Sequence, residues 1–364
     1  MRILVYLGHP AHFHLYKNAI KNWENNGHNV DILIKKKDIL ENLLKNGGYK
    51  YHNILEEGRS DSKLGMILGI FKRAYRMWRF TNKYRPDIMT GTSVENSIIG
   101  PLRGIPVVNL EEDDADIIPL YAKLTYPHSS VILTPDVCDN GQWNEKSTKY
   151  SSYHELAYLH PNHFIPNKAI VEKYFSVDKP YAIMRFVKLN AHHDAGIKGI
   201  NGDIAKRLVE IMKPYMDIYI TSERELEPEL EPYRIKINPI DIDHVMAFAS
   251  LYVGDSQTMA AEAGVLGVPF VRFNDFVGRI GYLRELEDVY QLGYGIKTNE
   301  VDKLYQVVEN LVSMSNRKEV FWARKEKMLE DKIDFAKFLT WFIENYPNSE
   351  KTIKENPEYQ NRFK

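Results

Sequence analysis

Three stretches carry side chains whose types and spacing could do chemistry. In one, the apolar run Leu251-Tyr252-Val253 ends at Gly254-Asp255-Ser256-Gln257-Thr258-Met259 and passes at once into Ala260-Ala261-Glu262-Ala263-Gly264. A strand that turns into a helix this way presents hydroxyls and unpaired amides at a positive helix terminus, an arrangement that holds phosphates. Glu262, one to two turns in, could accept hydrogen bonds from ribose hydroxyls. An ordinary cap by Asp255 or Ser256, with Glu262 in water, leaves the same trace. In a second stretch, His9, His12 and His14 fall within six residues. An imidazole titrates near pH 6.5, so a histidine here suits removal of a proton from a hydroxyl, worth about 10²–10⁴ in rate. No Asp or Glu lies among the three, which weakens a metal reading; capping and packing are the plain alternatives for His9 and His14. The third stretch is Glu111-Glu112-Asp113-Asp114-Ala115-Asp116. It follows an apolar run, so its first members should sit at a strand end and the rest run out to solvent.

These residues need elements to position them. Residues 2–7 read as a strand, Phe13, Tyr16, Ala19, Ile20 and Trp23 recur at helical spacing, Gly27 closes the helix, and 30–34 is a second strand. That is a βαβ unit, the signature of a parallel sheet covered by helices. Strands are expected again over 87–91, 106–110 and 131–134. The stretch His160-Pro161-Asn162-His163-Phe164-Ile165-Pro166-Asn167 reads as a linker. A second series follows, with strands over 181–184, 218–220, 251–253 and 269–272. One or two long helices are expected over 317–346, then a frayed polar tail. The domains expected are 1–163, 168–346, with its last helices free to pack back on the first domain, and a tail of 347–364, giving two doubly wound halves that face a central cleft. Ligands of such sheets bind at the carboxyl ends of the strands.

Composition narrows the classes. The chain has 364 residues, 44% of them hydrophobic and 27% charged, enough for large cores and not a disordered composition. Lys plus Arg is 48 and Asp plus Glu is 49, so net charge is 48 − 49 = −1, which argues against nucleic acid as a partner. The single cysteine, Cys138, excludes an internal disulfide and a cysteine-based zinc cluster. With a short apolar opening and no run of about 20 apolar residues, a soluble, cytoplasmic protein is expected.

Four motifs carry a family resemblance: His9-Pro10-Ala11-His12, Tyr158-Leu159-His160-Pro161, Met184-Arg185-Phe186-Val187-Lys188 through His193-Asp194, and Gly254 to Glu262. Together they resemble a family of GT-B-like microbial proteins found near polysaccharide genes. Gly254-Asp255-Ser256 with Glu262 and the Leu266-Gly267-Val268-Pro269 turn is similar to the nucleotide-sugar half of GT-B enzymes. Those include the lipid-linked N-acetylglucosaminyltransferases of peptidoglycan synthesis and the non-hydrolysing UDP-GlcNAc 2-epimerases. The resemblance implies Ser256, Gln257 and Thr258 at the diphosphate, Glu262 on the ribose, and His244 near the nucleobase. It implies Arg185 and Lys188 as cations against the donor phosphates, stabilising the leaving UDP. His12 stands where the peptidoglycan transferases carry their loop histidine, and Glu111 resembles an acid the epimerases use. The epimerases' catalytic Asp corresponds to Thr92, and their second-domain His is missing near Arg185; both departures count against epimerisation. Glu95 is a weaker acceptor-site candidate, and His192-His193-Asp194 reads as a loop feature.

The expected function is transfer of a sugar, from a UDP-sugar donor, to a glycan or lipid-linked acceptor in surface polysaccharide synthesis. His12 is the expected base and Glu111 its alternative, with neither a metal nor a cofactor required. A nucleotide-sugar 2-epimerase and a non-catalytic nucleotide-sugar-binding scaffold are the alternatives. A further expectation concerns residues 63–85, where seven Lys or Arg and no acid interleave with Leu64, Ile67, Leu68, Phe71, Tyr75 and Trp78. Such a helix either packs its apolar face on the sheet or docks peripherally on the inner face of a membrane.

Overall fold

The computed structural model describes residues 1–35, 39–54, 63–187 and 199–364, the side chains of 63–68 excepted. Two compact units divide it: Met1–Tyr158 with Ile333–Lys364, and Leu159–Lys332.

In the first unit, β1 (Arg2–Leu7), β2 (Asn29–Ile34), β3 (Tyr51–Asn53), β4 (Ile88–Thr90), β5 (Val107–Leu110), β6 (Val131–Pro135) and β7 (Ser147–Tyr150) form one parallel sheet. Their order is β3-β2-β1-β4-β5-β6-β7. β4, β5 and β6 are buried along their whole length, as expected of parallel strands covered on both faces. The chain walks outward from β1 to β3, then returns to the other side of β1, so the switch in direction lies between β1 and β4. Backbone approach there is close. A Cβ on Gly91 would meet the Tyr6 carbonyl oxygen at 2.4 Å, and Gly91 has φ +123°, a conformation glycine alone adopts readily.

The second unit holds β8 (Tyr181–Phe186), β9 (Asp217–Ser222), β10 (Leu251–Gly254), β11 (Phe270–Phe273) and β12 (Gly293–Ile296). The order is β12-β11-β10-β8-β9, again all parallel. Here the switch lies between β8 and β10, whose ends pair Arg185 with Gly254. Met184, Phe186, Leu208, Ile220, Val253, Val271 and Phe273 fill one core. Each sheet is a Rossmann-like layer, as the alternating pattern predicts.

Three points differ from expectation. Strands β3, β7 and β12 are additional. The second unit ends earlier than 346: Arg317–Asp331 is its last helix, and Phe335–Glu344 packs back on the first unit, the course allowed for the last helices. The stripe Phe335, Phe338, Leu339, Phe342 and Ile343 needs apolar cover, and the helix Pro10–Asn25 packs against it. Asn22 Nδ2 donates to Thr340 Oγ1 at 3.1 Å, and Trp23 Nε1 to the Thr340 carbonyl at 3.2 Å. Finally, 347–364 is no frayed tail. Asn348–Glu355 and Pro357–Phe363 are helical, and Ile353 and Phe363 are buried.

Candidate functional site

The second unit places its chemistry at the β8/β10 switch. A Cβ on Gly254 would meet the Arg185 carbonyl oxygen at 2.8 Å and the Tyr252 hydroxyl at 2.5 Å, so the two strand ends meet only because this residue has no side chain. Ser256 caps the helix Gln257–Val265, its Oγ accepting from Met259 N–H at 3.4 Å. A hydroxyl used as acceptor still has its proton to donate. Gln257, Thr258 and Glu262 are half-buried on this helix, and Glu262 stands one turn beyond Thr258 on the same side. Five of the expected residues are therefore neighbours at one strand end: Arg185, Ser256, Gln257, Thr258 and Glu262.

Arg185 forms an ion pair with Glu223, while its Nε is buried without a hydrogen-bond partner among the described residues. His244 lies on Ile242–Ala247, a helix packed against Gln257–Val265. Its Nδ1 accepts the Asn167 N–H at 3.2 Å, and Phe164 lies against its ring at 4.8 Å. Lys188 and His192-His193-Asp194 lie outside the described residues.

Sequence reasoning treated Asp255 as a cap, and the structure gives it another task. Its carboxylate accepts the Val187 N–H at 2.8 Å, tying the exit of β8 to the start of the helix. Burial pushes this carboxyl up to about 6, against the opposing pull of the Val187 N–H and the Arg224 charge. Behind it, Asn274 Nδ2 donates to the Asp255 carbonyl at 3.0 Å. Fully buried Arg272 reaches Asn274 Oδ1 at 3.4 Å and Glu287 at 2.9 Å. An arginine inside the apolar run Phe270-Val271-Arg272-Phe273 was the available signal, since a buried guanidinium requires a built partner set.

In the first unit, His9 caps the helix Pro10–Asn25 by accepting Ala11 N–H at 3.2 Å. His14 packs against Tyr158 and Phe13, and burial pulls its ring down to about 3. His12 accepts the Gly8 N–H on Nδ1 at 3.2 Å, so the neutral ring carries its proton on Nε2. Glu111 follows β5 directly, two strands and about 10 Å across the sheet from β1 by strand spacing. It is buried, and burial with the nearby Asp113 and Glu112 charges holds its carboxyl well above the usual range. Tyr16 OH meets Thr90 Oγ1 at 2.9 Å and Tyr121 OH donates to Asn109 Oδ1 at 2.9 Å; both rings feel the Glu111 charge.

Two of the remaining acids are structural ties. Glu112 accepts the His154 N–H at 3.3 Å, and Asp114 accepts the Asp139 N–H at 2.8 Å. Among the described residues no group of three or more His, Cys, Asp or Glu is arranged to hold a metal ion. Glu95 is buried, paired with Arg73 and accepting from Ser93 Oγ at 2.9 Å. That pairing corrects two expectations at once: Glu95 is an internal counter-ion, and Arg73 is no outward-facing charge. No helix among the described residues is long and apolar enough to cross a membrane.

A family model described as a protein of unknown function, DUF354, matches residues 1–334. The chain belongs to the DUF354 family. No match is found among curated proteins. Among solved structures, the DUF354 chain is similar to S. aureus MnaA in complex with UDP, with TM-score 0.68 and 13% identity over 96% of this chain and 97% of that one. It is similar to the UDP-N-acetylglucosamine 2-epimerase of Rickettsia bellii, with TM-score 0.68 and 14% identity over 98% of each chain. It is also similar to the spinosyn rhamnosyltransferase SpnG complexed with spinosyn aglycone, with TM-score 0.61 and 12% identity over 95% of this chain and 100% of that one. At such identities these likenesses show the fold: this DUF354 protein has the GT-B fold of two Rossmann-like domains.

Proposed function

We propose that the protein binds a nucleotide sugar, with UDP as the nucleotide, at the β8/β10 switch and transfers the sugar to a hydroxyl of a glycan or lipid-linked acceptor. The observation that carries this reading is the meeting of Gly254, Arg185 and the Ser256-capped helix at one strand end. Amides and hydroxyls of Ser256, Gln257 and Thr258 face the diphosphate, Glu262 takes the ribose hydroxyls, and His244 borders the nucleobase. Arg185 neutralises charge on the leaving UDP, exchanging Glu223 for the phosphates. Lys188 is proposed as a second cation for the phosphates. A proteinaceous cation suffices for this task, so neither a metal nor a cofactor enters the proposal.

Within the first unit, Glu111 and His12 are the candidates for the acceptor's base. As the acceptor hydroxyl attacks the anomeric carbon, the bond to the UDP oxygen breaks and the hydroxyl proton passes to the enzyme. Glu111 suits that proton, because its surroundings raise its affinity for one. His12, with Nδ1 engaged by Gly8, suits donation from Nε2 to the acceptor or sugar; it becomes the base only by giving up the Gly8 contact. A surface-polysaccharide acceptor is part of the same proposal.

UDP release measured with and without a panel of acceptors tests it, with the sugar followed by NMR. Acceptor-dependent release of UDP is expected. Inversion at C2 with no net release of UDP assigns the protein to the epimerase reading, which Glu111 also favours. Nucleotide-sugar binding with neither reaction makes it a scaffold.

A further inference from the structure

Helix Lys63–Tyr84 packs beside Val94–Arg103, and Val94–Arg103 beside Pro119–Thr125. The first turns Ala74, Met77 and Thr81 inward, at spacings of three and four. Its aromatic stripe does not follow them. Phe71 and Tyr75 leave 68% and 62% of their surface open, and Trp78 is exposed beside them. The neighbouring helices continue the apolar surface with Leu102 at 66% and Leu120 at 69%, and with Leu124. Arg103 lies over the Trp78 ring at 3.5 Å and donates to the Trp78 carbonyl at 3.1 Å, joining the first two helices. Exposed Lys72, Arg79, Lys83 and Lys123 flank these side chains. The three helices carry a single acid, Glu95, and it is buried against Arg73.

We infer that this three-helix face docks reversibly on an anionic lipid surface. Large apolar side chains left open on neighbouring packed helices mark an interaction site. Aromatic rings with polar edges, ringed by Lys and Arg, match the interfacial zone of a bilayer, where rings sit at headgroup depth and cations meet acidic lipids. A second copy of the chain fits poorly, because a two-fold contact of this patch with itself would set like charges together. RNA would use the three rings as stacking platforms but leaves the three leucines without a role, since they offer bases nothing to stack upon. Arg73 and Arg76 take no part: one pairs with Glu95, and the other donates to the Ile54 carbonyl at 3.0 Å. The inference stands independently of the nucleotide-sugar reading.

The test is co-sedimentation of the full chain with vesicles of phosphatidylcholine alone and with phosphatidylglycerol added. Anionic vesicles should retain the protein about tenfold better, and salt should abolish the difference. Phe71→Ser/Leu102→Ser/Leu120→Ser and Lys72→Glu/Arg79→Glu should each cut retention about tenfold at unchanged melting temperature, with Lys213→Glu in the second unit as the silent control. Equal recovery on both vesicle types would overturn the inference, as would either variant set binding like the parent. A dimer that dissociates in the triple serine variant, or capture by RNA without capture by vesicles, would assign the face to those partners instead.

Discussion

A carboxyl buried among other carboxyls keeps its proton longer, and Glu111 is so placed, beside Asp113 and Glu112. The unfolded chain loses this proton near the ordinary glutamate range, while the folded chain holds it to higher pH. Its contribution to stability is therefore complete below about pH 4.5 and is lost as pH rises through the raised value. Glu111→Gln should accordingly raise the melting temperature at neutral pH while slowing transfer at least about a hundredfold. His12→Ala should slow transfer too but leave the melting temperature and donor affinity near the parent's. If Glu111→Gln keeps full turnover, the base lies elsewhere. His14 works in the opposite direction. Its ring is held neutral down to about 3, whereas in the unfolded chain it takes a proton near 6.5. Its contribution is fully present above that pH and falls as pH drops, by about 2 kcal/mol between pH 7 and pH 5. Urea midpoints should show that His14→Phe loses less stability over this interval than the parent; equal losses would contradict the assignment. The three histidines also show what a sequence conveys. Their clustering was legible, but which one caps the helix, which packs against Tyr158 and which accepts the Gly8 N–H depends on the helix starting at Pro10. The Arg73–Glu95 pair was not legible, because nothing local joins residues 22 apart.

At the scale of elements, the interior strands were legible, and of the four edge strands only β9 was. β1, β4, β5, β6, β8, β10 and β11 are buried on both faces and read as apolar runs. The strands missed, β3 (YHN), β7 (STKY) and β12 (GYGI), all lie at sheet edges. An edge strand is covered less and often polar, so it leaves no apolar run to detect. The strand-to-helix turn at Gly254 was legible as a motif, while its packing requirement was not. A methyl group there strikes the Arg185 carbonyl, which is backbone and cannot swing aside. Gly254→Ala should part the ends of β8 and β10, cost about 1–3 kcal/mol, and weaken UDP binding more than its loss of stability explains. A variant with the parent's melting temperature and UDP affinity would show that the close approach is dispensable. Asp255 and Asn274 serve the same turn from behind, and only the Arg272 anomaly in its apolar strand announced them.

For the whole molecule, two alternating series separated by a proline-bearing stretch were enough to expect two Rossmann-like domains. A return of the last helices to the first unit was within expectation, but its starting point at Ile333 and the inclusion of 347–364 were not legible, because an amphipathic stripe states that it needs cover without stating whose. The expected function rests on the second unit, where the strand order itself creates the ligand position and the residues there suit a nucleotide. Calorimetric titration of UDP into the parent and into Glu262→Ala tests that claim most directly. The account predicts saturable binding to the parent and at least about tenfold weaker binding to the variant, equivalent to about 1.4 kcal/mol, with the variant's melting temperature unchanged. Equal UDP affinity in the two folded proteins, or no binding to the parent, would contradict it.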